Sequence, residues 1–168
     1  QPEENEASLR REIVDALFVG FSVMTAQIGD ALRLSHTVRE LAPTLPVVWG
    51  GIHPTLLPEQ TCRHPDIDVV VDGEGEDTVL ELARAFEDGA DLAPVRGIVF
   101  KRDGVVMRTA TRPAVELDSQ PYHDFDLLDN FADCITVNRD LFGVYHGGDL
   151  LRLITIYTGL GCPHRCAF

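Results

Sequence analysis

Positive charge is scarce in this chain. Lys and Arg total 14 against 27 Asp and Glu in 168 residues, a formal net charge of −13. A nucleic-acid partner requires a basic face and an anionic membrane surface does too, so this balance argues against both. The excess acid reads as a solvated surface. Long apolar runs are missing as well: none reaches the roughly 18 residues that a bilayer span needs. Cysteine is sparse. The four present, Cys62, Cys134, Cys162 and Cys166, are too few for a disulfide scaffold and point to a reducing compartment. Residues 1–6 are polar and acidic, the opposite of a secretory signal, so a cytoplasmic location is expected. The first residue is Gln rather than Met, and the expectation is a piece of a longer gene product. Two phosphate-binding signatures are also absent. Without G-x-G-x-x-G a standard dinucleotide pocket is not expected, and without G-x-x-x-x-G-K neither is a P-loop.

What is present is a globular composition, 45% hydrophobic and 24% charged. Apolar periodicity predicts a helix over 7–15, a strand buried on both faces over 16–24, and a helix over 26–42 ended by Pro43. A strand over 46–49 follows, then a short helix over 58–63 and a strand over 67–71. A helix over 76–88 comes next, with Val79, Leu80, Ala83 and Phe86 inward and Gly89 as its stop. This alternation predicts an α/β fold: a Rossmann-like (flavodoxin-like) open parallel sheet with helices on both faces. The leading helix has no strand before it, so one or two strands are expected upstream. The pattern then changes. Strands over 96–101 and 105–109 flank Asp103-Gly104, a hairpin signal. Residues 110–129 read as a linker, and 151–158 as a further β run leading into Gly159-Leu160-Gly161-Cys162.

In an open parallel sheet, ligands bind beyond the carboxyl ends of the strands. Three strand ends are visible: Ser22-Val23-Met24-Thr25, Gly50-Gly51-Ile52-His53-Pro54-Thr55 and Asp72-Gly73-Glu74-Gly75-Glu76. Any one alone could be a tight turn. Three small or polar loops on one edge suit a large, flat ligand lying across it. At the carboxyl end, Cys162 and Cys166 are separated by three residues, and a cysteine one position past Phe168 would complete C-x3-C-x2-C. Three thiolates from one loop can hold three irons of a [4Fe–4S] cluster and leave the fourth open. A redox or structural cysteine pair is the alternative.

Taken in order, the Gly50 to Thr55 loop, the Asp72 to Glu76 loop, the Asp-Gly hairpin, Leu117-Asp118-Ser119-Gln120-Pro121 and Gly161-Cys162-Pro163-His164-Arg165-Cys166 resemble cobalamin-dependent radical S-adenosylmethionine (SAM) enzymes. The resemblance implies a cobalamin-binding Rossmann-like domain with its hairpin over 1–110, a linker over 111–150, and the start of a radical SAM (β/α) barrel over 151–168. It implies that Ser22, Thr25, Gly50, Gly51, His53, Gly73, Glu74 and Gly75 contact cobalamin, and that Cys162 and Cys166 ligate a [4Fe–4S] cluster. The parent would use S-adenosylmethionine, an electron donor for the cluster and a small-molecule or natural-product-type substrate. It would act as a methyltransferase or as a cyclising or rearranging enzyme; this piece alone would be inactive. The chain has no D-x-H-x-x-G segment, so His53 is read as a loop histidine with local hydrogen bonds rather than a cobalt ligand. Two other readings stand beside this one: a non-catalytic cobalamin- or ligand-sensing module, and a radical SAM enzyme whose front domain has lost cobalamin.

Overall fold

The computed structural model describes residues 9–113, 115, 116, 118, 120, 121 and 124–127. The chain divides into two compact units, Gln1–Ala114 and Val115–Phe168. In the second, the described residues include the 3-10 turn Phe125–Leu127. Everything that follows concerns the first.

Its elements are β1 (Val19–Ser22), α1 (Ile28–Leu41), β2 (Val47–Gly50), α2 (Ile52–Leu56), α3 (Pro58–Cys62), β3 (Val69–Val71), α4 (Glu76–Asp88), β4 (Ile98–Arg102) and β5 (Val105–Arg108). The strands form one sheet in the order β1-β2-β3-β4-β5. β1, β2 and β3 are mutually parallel, with Val19 opposite Val47 and Val48 opposite Val69. The hairpin does not stand apart from this sheet. β4 pairs antiparallel with β3, Val70 opposite Val99, and β5 pairs antiparallel with β4. The sheet is therefore mixed, and β5 points the same way as the three parallel strands.

Period-2 alternation sorts the central strands onto two cores. Val47, Trp49, Val70 and Val99 face one side with Val38, Cys62 and Ile67, and Val48, Val69, Val71, Ile98 and Phe100 face the other with Leu82 and Ala85. The third strand is buried throughout and the second as far as Trp49, as strands covered on both faces must be. Each such side chain contributes roughly 1.5 to 3 kcal/mol. Below the sheet, the Asp68 carboxylate accepts from Arg39 Nη2 at 2.6 Å and from Val47 N at 2.8 Å, tying α1 to β2 and β3.

Three sequence expectations differ. The first strand covers Val19–Ser22 rather than 16–24, and alternates half-buried and exposed instead of being buried on both faces. It is one of the two edge strands among the described residues, and no described element covers the face of Gly20 and Ser22. The leading helix is one α-helical turn at 9–12 among the described residues and ends before residue 15. In α4 the inward residues are Thr78, Leu82 and Ala85, while Val79 and Leu80 are 40% and 51% exposed. The Thr78 hydroxyl donates to Arg96 O and accepts from Arg112 Nε at 2.9 Å, which turns that face of the helix inward.

Cys62 is fully buried, with its thiol against Val99 O at 3.6 Å. Burial pushes that thiol up to about 11. Since the thiolate is the nucleophile, Cys62 is expected to resist iodoacetamide at neutral pH in the native protein and to react once urea unfolds it. Peptide mass mapping reads this directly; equal labelling of Cys62 in both states would contradict its burial.

Candidate functional site

The carboxyl ends of β1, β2 and β3 lie along one edge of the sheet, and the loops that leave them are fastened to each other. Val23 N donates to Gly50 O at 2.8 Å, and His53 N donates to Val23 O at 3.0 Å. Thr25 Oγ1 and His53 Nδ1 are hydrogen-bonded at 3.2 Å. Gly73 N donates to Thr55 Oγ1 at 3.2 Å. These bonds join the 22–25 loop to the 50–55 loop, and that loop to the 72–76 loop.

Gly51 is the tightest point. Its φ of +93° belongs to glycine, and a Cβ there would sit 2.8 Å from Val23 N and 3.0 Å from Ser22 Oγ. The missing side chain lets the second loop lie directly on the first. It also starts the short helix Ile52–Leu56, which hydrophobic periodicity does not reveal because Pro54 interrupts the stretch. Gly73 is the opposite case. It also has positive φ, +101°, yet a Cβ there would meet nothing within 4 Å. The space beside it is open.

The rim around these loops is apolar and exposed. Met24 is 51% exposed, Ile52 63% and Leu56 69%. Large apolar groups gathered at one edge mark a ligand or partner surface. Of the residues expected to touch ligand, Ser22, Thr25, Gly73 and Glu74 are exposed, and Gly50, Gly51, His53 and Gly75 are half-buried. All eight fall on this edge. Cys162 and Cys166 lie outside the described residues. Among the described residues no group of three or more His, Cys, Asp or Glu is placed to hold a metal ion, and no helix is long and apolar enough to cross a membrane. Trp49, at the end of β2, belongs to the core and not to the edge: it is 1% exposed, and its Nε1 donates to Ser35 Oγ at 2.9 Å.

Two arginines from the hairpin side complete the edge, and the sequence reading missed both. Arg108 donates from Nη2 to Asp72 Oδ2 at 2.5 Å and from Nη1 to Glu59 Oε1 at 2.9 Å. Arg112 Nη2 donates to Glu81 Oε2 at 2.6 Å. The Arg112 hydrogen bond is the leading reason that the Glu81 carboxyl sits below its ordinary value. For Glu59 a backbone hydrogen bond leads and Arg108 adds to it. A carboxyl lowered on folding contributes stability above its unfolded value and loses it as pH falls through the folded one, so both ties weaken in acid.

The profile of the B12 binding domain matches residues 1–83. An anaerobic magnesium-protoporphyrin IX monomethyl ester cyclase of Synechocystis is 32% identical over 153 residues, 90% of this chain and 28% of that protein. An uncharacterized methyltransferase of Pyrococcus horikoshii is 33% identical over 156 residues, 92% of this chain and 31% of that protein. The cobalamin-dependent radical SAM methyltransferase TokK of Streptomyces tokunonensis is 26% identical over 161 residues, 93% of this chain and 22% of that protein. This chain thus spans less than a third of the length of these relatives. Among solved structures, the methyltransferase TsrM of Kitasatospora setae, with cobalamin and a [4Fe–4S] cluster bound, superposes with a TM-score of 0.59 at 23% identity, covering 73% of this chain and 24% of that one. At that identity the match establishes the fold. The chain therefore carries a B12-binding domain over residues 1–83, and over most of its length it is similar to proteins that include a cobalamin-dependent radical SAM methyltransferase.

Proposed function

We propose that the edge formed by the 22–25, 50–55 and 72–76 loops binds cobalamin, and that the parent protein is a radical SAM enzyme of the methyltransferase or cyclase type. One observation carries this reading: three loops laced together into a single shelf, open beside Gly73 and rimmed by exposed Met24, Ile52 and Leu56. That shelf fits a corrin. A broad macrocycle needs flat apolar support, backbone that it can approach closely, and a few polar contacts to orient it.

When bound, cobalamin supplies a cobalt centre able to carry a methyl group. The chain's own residues supply the seat. Gly50, Gly51, Gly73 and Gly75 let backbone N–H and C=O groups reach the ligand. Ser22, Thr25 and Glu74 offer side-chain oxygens to its polar substituents. His53 has Nδ1 engaged by Thr25, so its Nε2 is the ring nitrogen for a ligand contact. Met24, Ile52 and Leu56 would exclude water beneath the ring.

Cys162 and Cys166, with a third cysteine at the next position of the parent, would ligate the [4Fe–4S] cluster that cleaves S-adenosylmethionine. An electron donor, a small-molecule substrate and a cytoplasmic location complete the reading. TsrM was solved with tryptophan as its substrate, and another relative, 30% identical over 161 residues, is named for methylating a 2-(S-pantetheinyl)-carbapenam-3-carboxylate. Small-molecule substrates therefore have precedent in this group.

The test is to produce the full-length parent with hydroxocobalamin supplied, pass it through gel filtration and record its visible spectrum. A retained corrin spectrum is expected. A visible spectrum without corrin bands would sink cobalamin binding, and any residue other than cysteine after Phe168 would sink the cluster assignment.

A further inference from the structure

The 72–76 loop is under electrostatic load. Asp72, Glu74, Glu76 and Asp77 crowd one short stretch, well within a Debye length of each other. The Asp72 side chain is also only 10% exposed, and a buried carboxylate needs a partner. That partner lies outside the segment that matches the B12-binding family. The hairpin topology explains how. β4 runs away from the ligand edge and β5 returns to it, ending at Arg108 beside the end of β3. The Arg108 guanidinium forks between Asp72 and Glu59. Four residues later, Arg112 reaches the first turns of α4 through Thr78 and Glu81. Gly97, at φ +73°, allows the close approach: a Cβ there would meet Thr78 Oγ1 at 3.3 Å and Arg112 Cβ at 3.4 Å. Asp72 N also donates to Gly97 O at 2.8 Å. One arginine thus holds the stem entering the loop, and the other holds the stem leaving it.

We infer that Arg108 and Arg112 are positioning residues for the corrinoid site: from beyond residue 83, they clamp both stems of the 72–76 loop and hold it against the 50–55 loop in the conformation that takes the ligand. The inference rests on reading this edge as a cobalamin site. A B12-binding segment cut at residue 83 would keep the three loops and lose what sets the third. Arg suits the first clamp, because its planar fork reaches Asp72 and Glu59 from two different nitrogens, a geometry that the single ammonium of a Lys at 108 does not reproduce.

The experiment compares the full chain with Arg108→Gln, Arg112→Gln and Arg108→Lys. One readout is hydroxocobalamin titration. The other is amide hydrogen exchange of the ligand-free protein, resolved by peptide. Each Gln variant is expected to weaken hydroxocobalamin about tenfold, the weight of one charge-assisted hydrogen bond. Exchange at 72–76 should quicken while Val47–Gly50 keeps its protection, a local signature that general destabilisation would not produce. Arg108→Lys should recover part of the affinity. Wild-type affinity in both Gln variants, or unchanged exchange at 72–76, overturns the inference. Where a Gln variant fails to fold, Arg108→Lys decides: weakened binding at an unchanged melting temperature supports the clamp, and wild-type affinity overturns it. If the wild-type chain binds no hydroxocobalamin, the site reading fails by itself. Exchange at 72–76 then still tests the clamp, faster exchange upholding it and unchanged exchange refuting it.

Discussion

Replacing Gly51 with Ala is expected to destabilise the first unit by roughly 3 kcal/mol and to abolish corrinoid binding. Two costs combine. The backbone at Gly51, φ +93° and ψ −168°, lies in a region that residues with a Cβ scarcely occupy. The new methyl would also sit 2.8 Å from Val23 N, 3.0 Å from Ser22 Oγ and 3.2 Å from Val23 O. The two backbone atoms cannot yield cheaply. Val23 N is committed to Gly50 O, and Val23 O to His53 N. The substitution must therefore part the first loop from the second, which is the junction the proposed site depends on. Gly73→Ala is the control. It shares the positive φ but meets nothing within 4 Å, so it bears conformational strain without a clash. Urea melts of the two variants should separate the terms, with Gly51→Ala the more damaging. Equal midpoints would show that the close approach at Gly51 contributes nothing.

Trp49→Ala should cost about 3 to 5 kcal/mol, a large share of a small domain's total stability. Trp49 is 1% exposed and central to the cluster beneath α1, with the Phe21 ring 6.3 Å away and tilted. Its indole N–H also satisfies a hydroxyl that is itself completely buried, since Ser35 is 0% exposed. That second role predicts a particular pattern. Trp49→Phe keeps much of the apolar volume but orphans Ser35, and Ser35→Ala keeps the core but orphans the indole. Each should cost roughly 1 to 3 kcal/mol. The pair Trp49→Phe with Ser35→Ala should cost less than the sum, because neither group is then left unpaired. Denaturant unfolding of all four proteins reads the coupling. Strict additivity would show that the hydrogen bond is immaterial.

How far the sequence anticipated this structure depends on the range of the interactions involved. Val47–Gly50 and Val69–Val71 stand out as short apolar runs bounded by turn residues, because burial on both faces leaves no polar position. The hairpin is equally plain: Asp103 and Gly104 take φ of +51° and +78°, the pairing that a two-residue turn demands. The three loops were legible too, since strand-end glycines must fall on one edge of a parallel sheet. What escaped was set by contacts distant in sequence. Nothing local in Ile98–Arg102 says that it joins β3 rather than standing in a separate hairpin. Nothing in Glu76–Asp88 prefers Thr78 over Val79 as the inward residue, because the choice is made by Arg96 and Arg112. Arg108 looks like any charged residue on an exposed strand until Asp72 is seen beside it.

The Arg108 and Arg112 contacts converge on the shelf, and its capacity to hold a corrinoid underlies the proposed function. The most direct measurement is a hydroxocobalamin titration followed by visible circular dichroism, run on the purified chain and on Ile52→Asp. Ile52 is 63% exposed, so placing a charge there should leave the fold intact while spoiling the apolar rim. An induced signal that saturates at a single corrinoid per chain and is lost in Ile52→Asp is expected. No induced signal in the wild-type chain, or an undiminished one in Ile52→Asp, would contradict it.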